Sequence, residues 1–157
     1  YYAHKNTGRP LRGPWFQKFQ FNYSDVSNDP LYPFGFGLSY TRFAYSDIKL
    51  NRQEISMQDS LTATVTVTNT GTRDGSEVVQ LYIRDLVGTV TRPVKELKGF
   101  RKINLRAGEK ADVSFVISAK DLAFYNAELK FGAEPGDFEV FIGGNSRDVK
   151  SSAFKLR

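Results

Sequence analysis

The sequence predicts an all-β fold: an antiparallel β-sandwich preceded by an irregular, aromatic-rich extension. Three observations carry this expectation. From Phe43 onward apolar residues recur with period two, and no stretch keeps a helical period beyond one turn. Turn residues interrupt that pattern every 8 to 12 positions. Before Phe43 the pattern is absent, although thirteen of the 22 aromatic residues and four of the six prolines fall within the first 45 positions.

The elements follow in order. Residues 43–50 form the first expected strand. Leu61, Ala63, Val65 and Val67 alternate with Thr62, Thr64, Thr66 and Thr68, so one β-branched face meets a core and the other meets water. Residues 69–75 (NTGTRDG) supply turn chemistry with two glycines, and Val79, Leu81 and Ile83 are the inward set of the next strand, so the pair reads as a hairpin. Residues 97–105 read as a strand with Gly99 as a site for a bulge. After the turn at Ala107-Gly108-Glu109, Ala111, Val113, Phe115 and Ile117 alternate again. Ser118 and Asp121 have the spacing of a capping box, which predicts a single helical turn over 120–124. A short strand at 128–131, a turn at Glu134-Pro135-Gly136, a strand with Phe138, Val140 and Ile142 inward, and a last strand at 153–156 complete the list. Seven or eight short strands in about 112 residues match a sandwich of immunoglobulin or fibronectin type III kind.

Two domains are expected: residues 1–42 as a linking extension and 43–157 as the sandwich. An aromatic segment broken by proline cannot bury its own rings, so it must lie against something else. The chain begins Tyr1-Tyr2 and its only methionine is Met57, which leads to the expectation that further sequence precedes it. The net charge of +5 raises nucleic acid as a partner, but residues 1–45 hold only 5 basic side chains, and the remaining 17 are interleaved with 15 acidic ones. The densest basic stretch, residues 95–102 (KELKGFRK), suits a strand with a solvated face. No nucleic-acid partner is expected. No membrane partner is expected either, because no apolar run approaches the roughly 18–20 residues of a span.

The chemistry-bearing residues are sparse. With no cysteine, thiolate metal sites and cysteine nucleophiles are excluded. The lone histidine, His4, sits in the irregular segment beside Lys5, which leaves no material for a His-based triad or metal cluster. Gly35-Phe36-Gly37 starts like a dinucleotide loop, but Tyr40 stands where the third glycine belongs and no βαβ unit follows. Gly37-Leu38-Ser39 lacks the closing glycine of a nucleophile elbow. Carboxylates fall in turns (Asp74, Glu109, Glu134, Asp137) or on expected outward strand positions (Glu77, Asp112, Glu139), and nothing pairs two of them for glycoside cleavage. No cofactor and no metal site is expected. Asn22-Tyr23-Ser24 fits a glycosylation acceptor. Trp15, Phe16, Phe19 and Phe21 allow a carbohydrate platform as the alternative to a buried domain contact.

Residues 31–41 (LYPFGFGLSYT) followed by a strand resemble the junction before the C-terminal fibronectin type III-like domain of glycoside hydrolase family 3. NTGRP at 6–10, VTNTG at 67–71, RPVKELKGF at 92–100 and AEPGDFEVFIGGNS at 133–146 extend the resemblance over nearly the whole chain. It is similar above all to the bacterial, periplasmic β-glucosidases of that family. The resemblance implies a retaining enzyme whose two catalytic carboxylates lie in upstream domains, about 5–5.5 Å apart. None of them maps onto this chain, so no catalytic residue is expected here. It implies that Trp15, Phe16, Tyr32, Pro33, Phe34, Gly35, Phe36, Gly37 and Tyr40 dock on the catalytic domains of the same polypeptide, in a periplasmic or secreted setting. A weak carbohydrate contact, or a carbohydrate- or cell-wall-binding module without an enzyme partner, is the competing expectation.

Overall fold

The computed structural model describes residues 26, 27 and 29–157. Within them two β-sheets pack face to face. Eleven strands are present, β1 (Phe43–Tyr45), β2 (Lys49–Leu50), β3 (Glu54–Ile55), β4 (Ser60–Asn69), β5 (Gly75–Asp85), β6 (Glu96–Leu105), β7 (Lys110–Ser118), β8 (Phe124–Tyr125), β9 (Phe131–Gly132), β10 (Gly136–Gly143) and β11 (Val149–Leu156), with one short helix, α1 (Ala119–Leu122). The first sheet is built on β4, which pairs antiparallel with β7 along its length and with β1 and β2 over shorter stretches. The second has the order β3-β11-β10-β5-β6. The small β8-β9 pair stands apart from both.

The core is what the period-two pattern predicts. Leu61, Ala63, Val65 and Val67 of β4 meet Val79, Leu81 and Ile83 of β5 and Phe138, Val140 and Ile142 of β10, all buried. Phe138 and Phe154 stack at 5.5 Å between ring centroids. Each such side chain removed from water contributes roughly 2–3 kcal/mol, which fixes register because a one-residue slip would turn the whole set outward. The outer face of the first sheet is polar, with Thr64 bonded to Ser114 at 2.8 Å and Thr66 donating to Asp112 at 2.6 Å.

Several expectations are corrected. β4 and β5 do not form a hairpin: they lie in different sheets, and residues 70–74 arch between them. Two strands with one apolar face each can bury both by facing each other, which a hairpin in a single sheet cannot do. Asn69, fully buried, closes the arch: its carboxamide donates to the carbonyls of Arg73 (2.7 Å) and Leu105 (3.1 Å) and accepts from the Thr41 hydroxyl (2.6 Å) and the Gly71 amide (3.1 Å). The expected strand at 43–50 is two pieces, β1 and β2, separated after Tyr45, where the Ser46 side chain accepts the Thr66 amide of β4; the Asn51 side chain accepts the Thr62 amide just beyond β2. The sandwich is antiparallel except for β3, which runs parallel to β11.

The expected strand at 128–131 shortens to Phe131–Gly132. The Asn126 side chain accepts from the amides of Glu128 and Lys130, holding a tight turn there with Leu129 at φ 59°. The last strand starts earlier, at Val149, and the helical turn one residue earlier, at Ala119, with the Asp121 carboxylate accepting from both the amide and the hydroxyl of Ser118 at 2.8 Å. The bulge lies where Gly99 marks it, with the register shifting between Leu81 and Tyr82 so that Lys98 is the extra residue. Glu77 is not an outward residue: it shares the inward side of β5 with Val79 and accepts the Tyr45 hydroxyl at 2.7 Å.

Candidate docking surface

The residues of the 31–41 motif divide into those that hold the sandwich and those that face away from it. Pro33, Phe34, Gly35 and Phe36 form a β-turn closed by the Phe36 amide on the Pro33 carbonyl at 3.0 Å. Gly35 takes φ +79°, the conformation of the third residue of a type II turn. A β-carbon at Gly35 would also collide with the Gln80 carboxamide, so both the dihedral and the close approach require glycine. Gly37 is different: no neighbour crowds it.

This turn sits on the outer face of the second sheet. Gln80, Tyr82 and Phe141 point away from the sandwich core, yet all three are buried. Gln80 Nε2 donates to the Gly35 carbonyl at 3.1 Å and to the Gly144 carbonyl at 2.6 Å, and the Tyr82 hydroxyl donates to Gln80 Oε1. Phe34 meets Tyr82 edge-on at 6.5 Å, and its carbonyl accepts the Ser146 amide at 2.8 Å. Lys95 Nζ donates to the Ser146 carbonyl at 2.7 Å and lies 4.6 Å from the centre of the Phe141 ring. Burial, together with the nearby Arg84 charge, pulls the Lys95 ammonium below its ordinary pKa, partly opposed by Glu139. At the far end of the motif Thr41 bonds Asn69. Residues from four of the five motifs, 31–41, 67–71, 92–100 and 133–146, therefore meet at these anchor points, and 6–10 lies outside the described residues.

The other motif residues are left in solvent. Tyr40 is 95% exposed, Leu38 92%, Leu31 74% and Tyr32 67%, with Phe36 also exposed and its ring 5.3 Å from that of Tyr32. Of the nine expected docking residues, Pro33, Phe34 and Gly35 are anchored on the sandwich, with Phe34 still 36% exposed, whereas Tyr32, Phe36 and Tyr40 present their rings outward. Trp15 and Phe16 lie outside the described residues, as do Phe19, Phe21, His4 and the Asn22 triplet.

Sequence reading missed Gln80, Tyr82, Lys95 and Ser146. A signal existed: Leu81-Tyr82-Ile83 and Val140-Phe141-Ile142 break the alternation with three consecutive apolar residues, the mark of a strand covered on both faces.

Among the described residues no cluster of three or more histidine or carboxylate side chains is placed to hold a metal. A cleft of about 690 Å³, open to solvent, is lined by Asp74, Ser76, Asn104, Arg106 and Glu109 without an aromatic ring. Its carboxylates serve turns, Asp74 accepting the Ala107 amide and Glu109 the Arg106 amide. No described helix is long and apolar enough to cross a membrane. Lys98 pairs with Glu96 at 2.9 Å and Arg92 with the same carboxylate at 3.0 Å, so the basic run is partly neutralised in place.

Residues 77–146 match the fibronectin type III-like domain family. The sandwich is a fibronectin type III-like domain. The chain is 49% identical over 156 residues to a periplasmic β-glucosidase of Salmonella typhimurium, covering 99% of this chain and 20% of the relative. It is 43% identical over 131 residues to thermostable β-glucosidase B of Acetivibrio thermocellus, covering 82% of this chain and 17% of that protein. In three dimensions it superposes on a β-glucosidase from Listeria innocua with a TM-score of 0.87 and 38% identity, over 99% of this chain and 22% of that one. The resemblance to glycoside hydrolase family 3 is borne out: the chain corresponds to the fibronectin type III-like portion of such β-glucosidases. It spans about a fifth of the length of the relatives it matches.

Proposed function

We propose that this fibronectin type III-like domain is a non-catalytic C-terminal module of a family 3 β-glucosidase, with residues 1–42 as the docking extension and 43–157 as the sandwich. The observation that carries the proposal is the divided motif: Pro33, Phe34 and Gly35 are fastened to the sheet, and Leu31, Tyr32, Phe36, Leu38 and Tyr40 are thereby held in solvent. Holding large rings outward on an anchored turn removes the ordering cost from any association they make. Burying one ring is worth roughly 2–3 kcal/mol, so a few would seat the sandwich rigidly on neighbouring catalytic domains. Relatives about five times longer, named as β-glucosidases, support the presence of such domains in the same polypeptide. The periplasmic name of the Salmonella relative supports a periplasmic or secreted setting.

The test is turnover by the purified 157-residue chain. Incubated with p-nitrophenyl β-glucoside, it is expected to release no p-nitrophenol above buffer. Release that scales with chain concentration across independent preparations overturns the proposal.

A further inference from the structure

We infer that the outer face of β5 and β6 beside the anchored turn, carried by Val78 and Phe100, is the second half of the surface on which a catalytic domain of the same polypeptide seats. The inference rests on the docking reading above. Strand register places Phe100 opposite Gln80 and Lys102 opposite Val78, so these four side chains share the outer face of the second sheet. Gln80 is covered by the Gly35 and Gly144 carbonyls, but its neighbours are not: Phe100 is 67% exposed and Val78 40%. On the opposite sheet the outer face of β4 and β7 is mostly hydroxyl and carboxylate, with Thr62, Thr64, Thr66, Ser114 and Asp112 around a single exposed apolar residue, Val116. Elsewhere on the second sheet, the same outer face of β11 carries Ser151, Ala153 and Lys155. On this face the exposed apolar side chains therefore lie on β5 and β6 and not on β11.

Two features select the occupant. Gln80 links the two regions: it bonds the Gly35 carbonyl of the turn that carries Tyr32 and Phe36 and stands opposite Phe100 in the strand register, so one apolar surface of a partner would cover both. The relatives also carry about four-fifths of their length outside the region matched, which supplies a partner in the same polypeptide. The catalytic partner then lies over the β5-β6 side, and the threonine-rich sheet faces solvent.

The experiment compares Phe100→Asp, Tyr40→Asp and Val116→Asp, each in the full-length polypeptide and in the 157-residue chain. Val116 is an exposed apolar residue on the opposite sheet and serves as the control. Phe100→Asp is expected to lower the thermal midpoint of the full-length protein by about 2–4 °C or more and to raise amide exchange around Val78. It should leave the midpoint of the chain alone unchanged, and Val116→Asp should change neither. Phe100→Ser provides a milder variant with the same expected direction. A full-length midpoint lowered by Tyr40→Asp but not by Phe100→Asp sinks this inference and leaves the docking reading standing; no effect from either sinks both. Loss, on Phe100→Asp, of self-association or of retention on an insoluble glucan, with the full-length midpoint unchanged, assigns the face to a second copy or a polysaccharide and overturns the inference.

Discussion

Asn69 occupies a position that period-two patterning reserves for an apolar side chain, and it is tolerated there because every polar atom of its carboxamide has a partner. It joins the end of the extension at Thr41, the arch at Gly71 and Arg73, and the end of β6 at Leu105. Asn69→Ala would remove the partner of two carbonyls, one amide and one hydroxyl around a fully buried position, at a cost of roughly 3 kcal/mol. Urea unfolding of the chain should show that loss, with Thr41→Val costing only about 1 kcal/mol because a single bond disappears. Glu77 offers the contrasting case. Burial raises its carboxyl above the ordinary range, only partly offset by the hydrogen bond from Tyr45, and burial beside that carboxylate raises the Tyr45 phenol in turn. A raised acid is most stabilising while protonated, so this contribution is full below the unfolded-state value of about 4.3 and is lost as pH rises through the higher folded value. Glu77→Gln keeps an acceptor for Tyr45 and cannot ionise. Thermal midpoints taken from pH 4 to 8 should therefore fall across the weakly acidic range in the native chain and stay flatter, and higher at neutrality, in the variant.

At the scale of elements, the turn at Pro33–Phe36 and the arch at 70–74 do what the strands alone cannot. The turn converts an otherwise unsupported segment into part of the sandwich by spending one proline, one glycine and two backbone carbonyls on Gln80 and Ser146. Gly35→Ala forces a β-carbon into left-handed backbone, costing roughly 1–2 kcal/mol, and pushes the Gln80 side chain away. The expected outcome is local: amide exchange at Phe36 and Ser146, whose protons close the turn and its anchor, should rise by about tenfold or more, the factor that 1.4 kcal/mol represents. Amides of β4 and β7, in the other sheet, should be unaffected. The strands themselves were readable because alternation at Leu61, Val65, Phe138 and Ile142 reports one buried face. Their partners were not, because an alternating strand has the same sequence whether its neighbour in the chain sits beside it or across the core. The hairpin expected for β4 and β5 failed for that reason.

For the molecule as a whole, the two sheets differ in what covers their outer faces. The first sheet carries hydroxyls and a carboxylate that bond across strands and meet water. The second is covered by the chain's own turn over Gln80 and Tyr82 and left apolar at Phe100 and Val78. The aromatic excess before residue 45 was legible as a need for burial, but composition could not show which of these residues also anchor on the sandwich, as Pro33, Phe34 and Gly35 do. By itself the sequence determined the all-β class, the inward residues of the long strands, the turns and the family resemblance, since each depends on residues adjacent or at fixed spacing along the chain. Only the tertiary structure decided which strands share a sheet, that Asn69 and Glu77 face inward, and which motif rings the sandwich keeps for itself. Those outcomes turn on contacts such as Gly35 with Gln80, 45 residues apart in the chain, where burial and hydrogen-bond satisfaction act between groups that no local pattern relates.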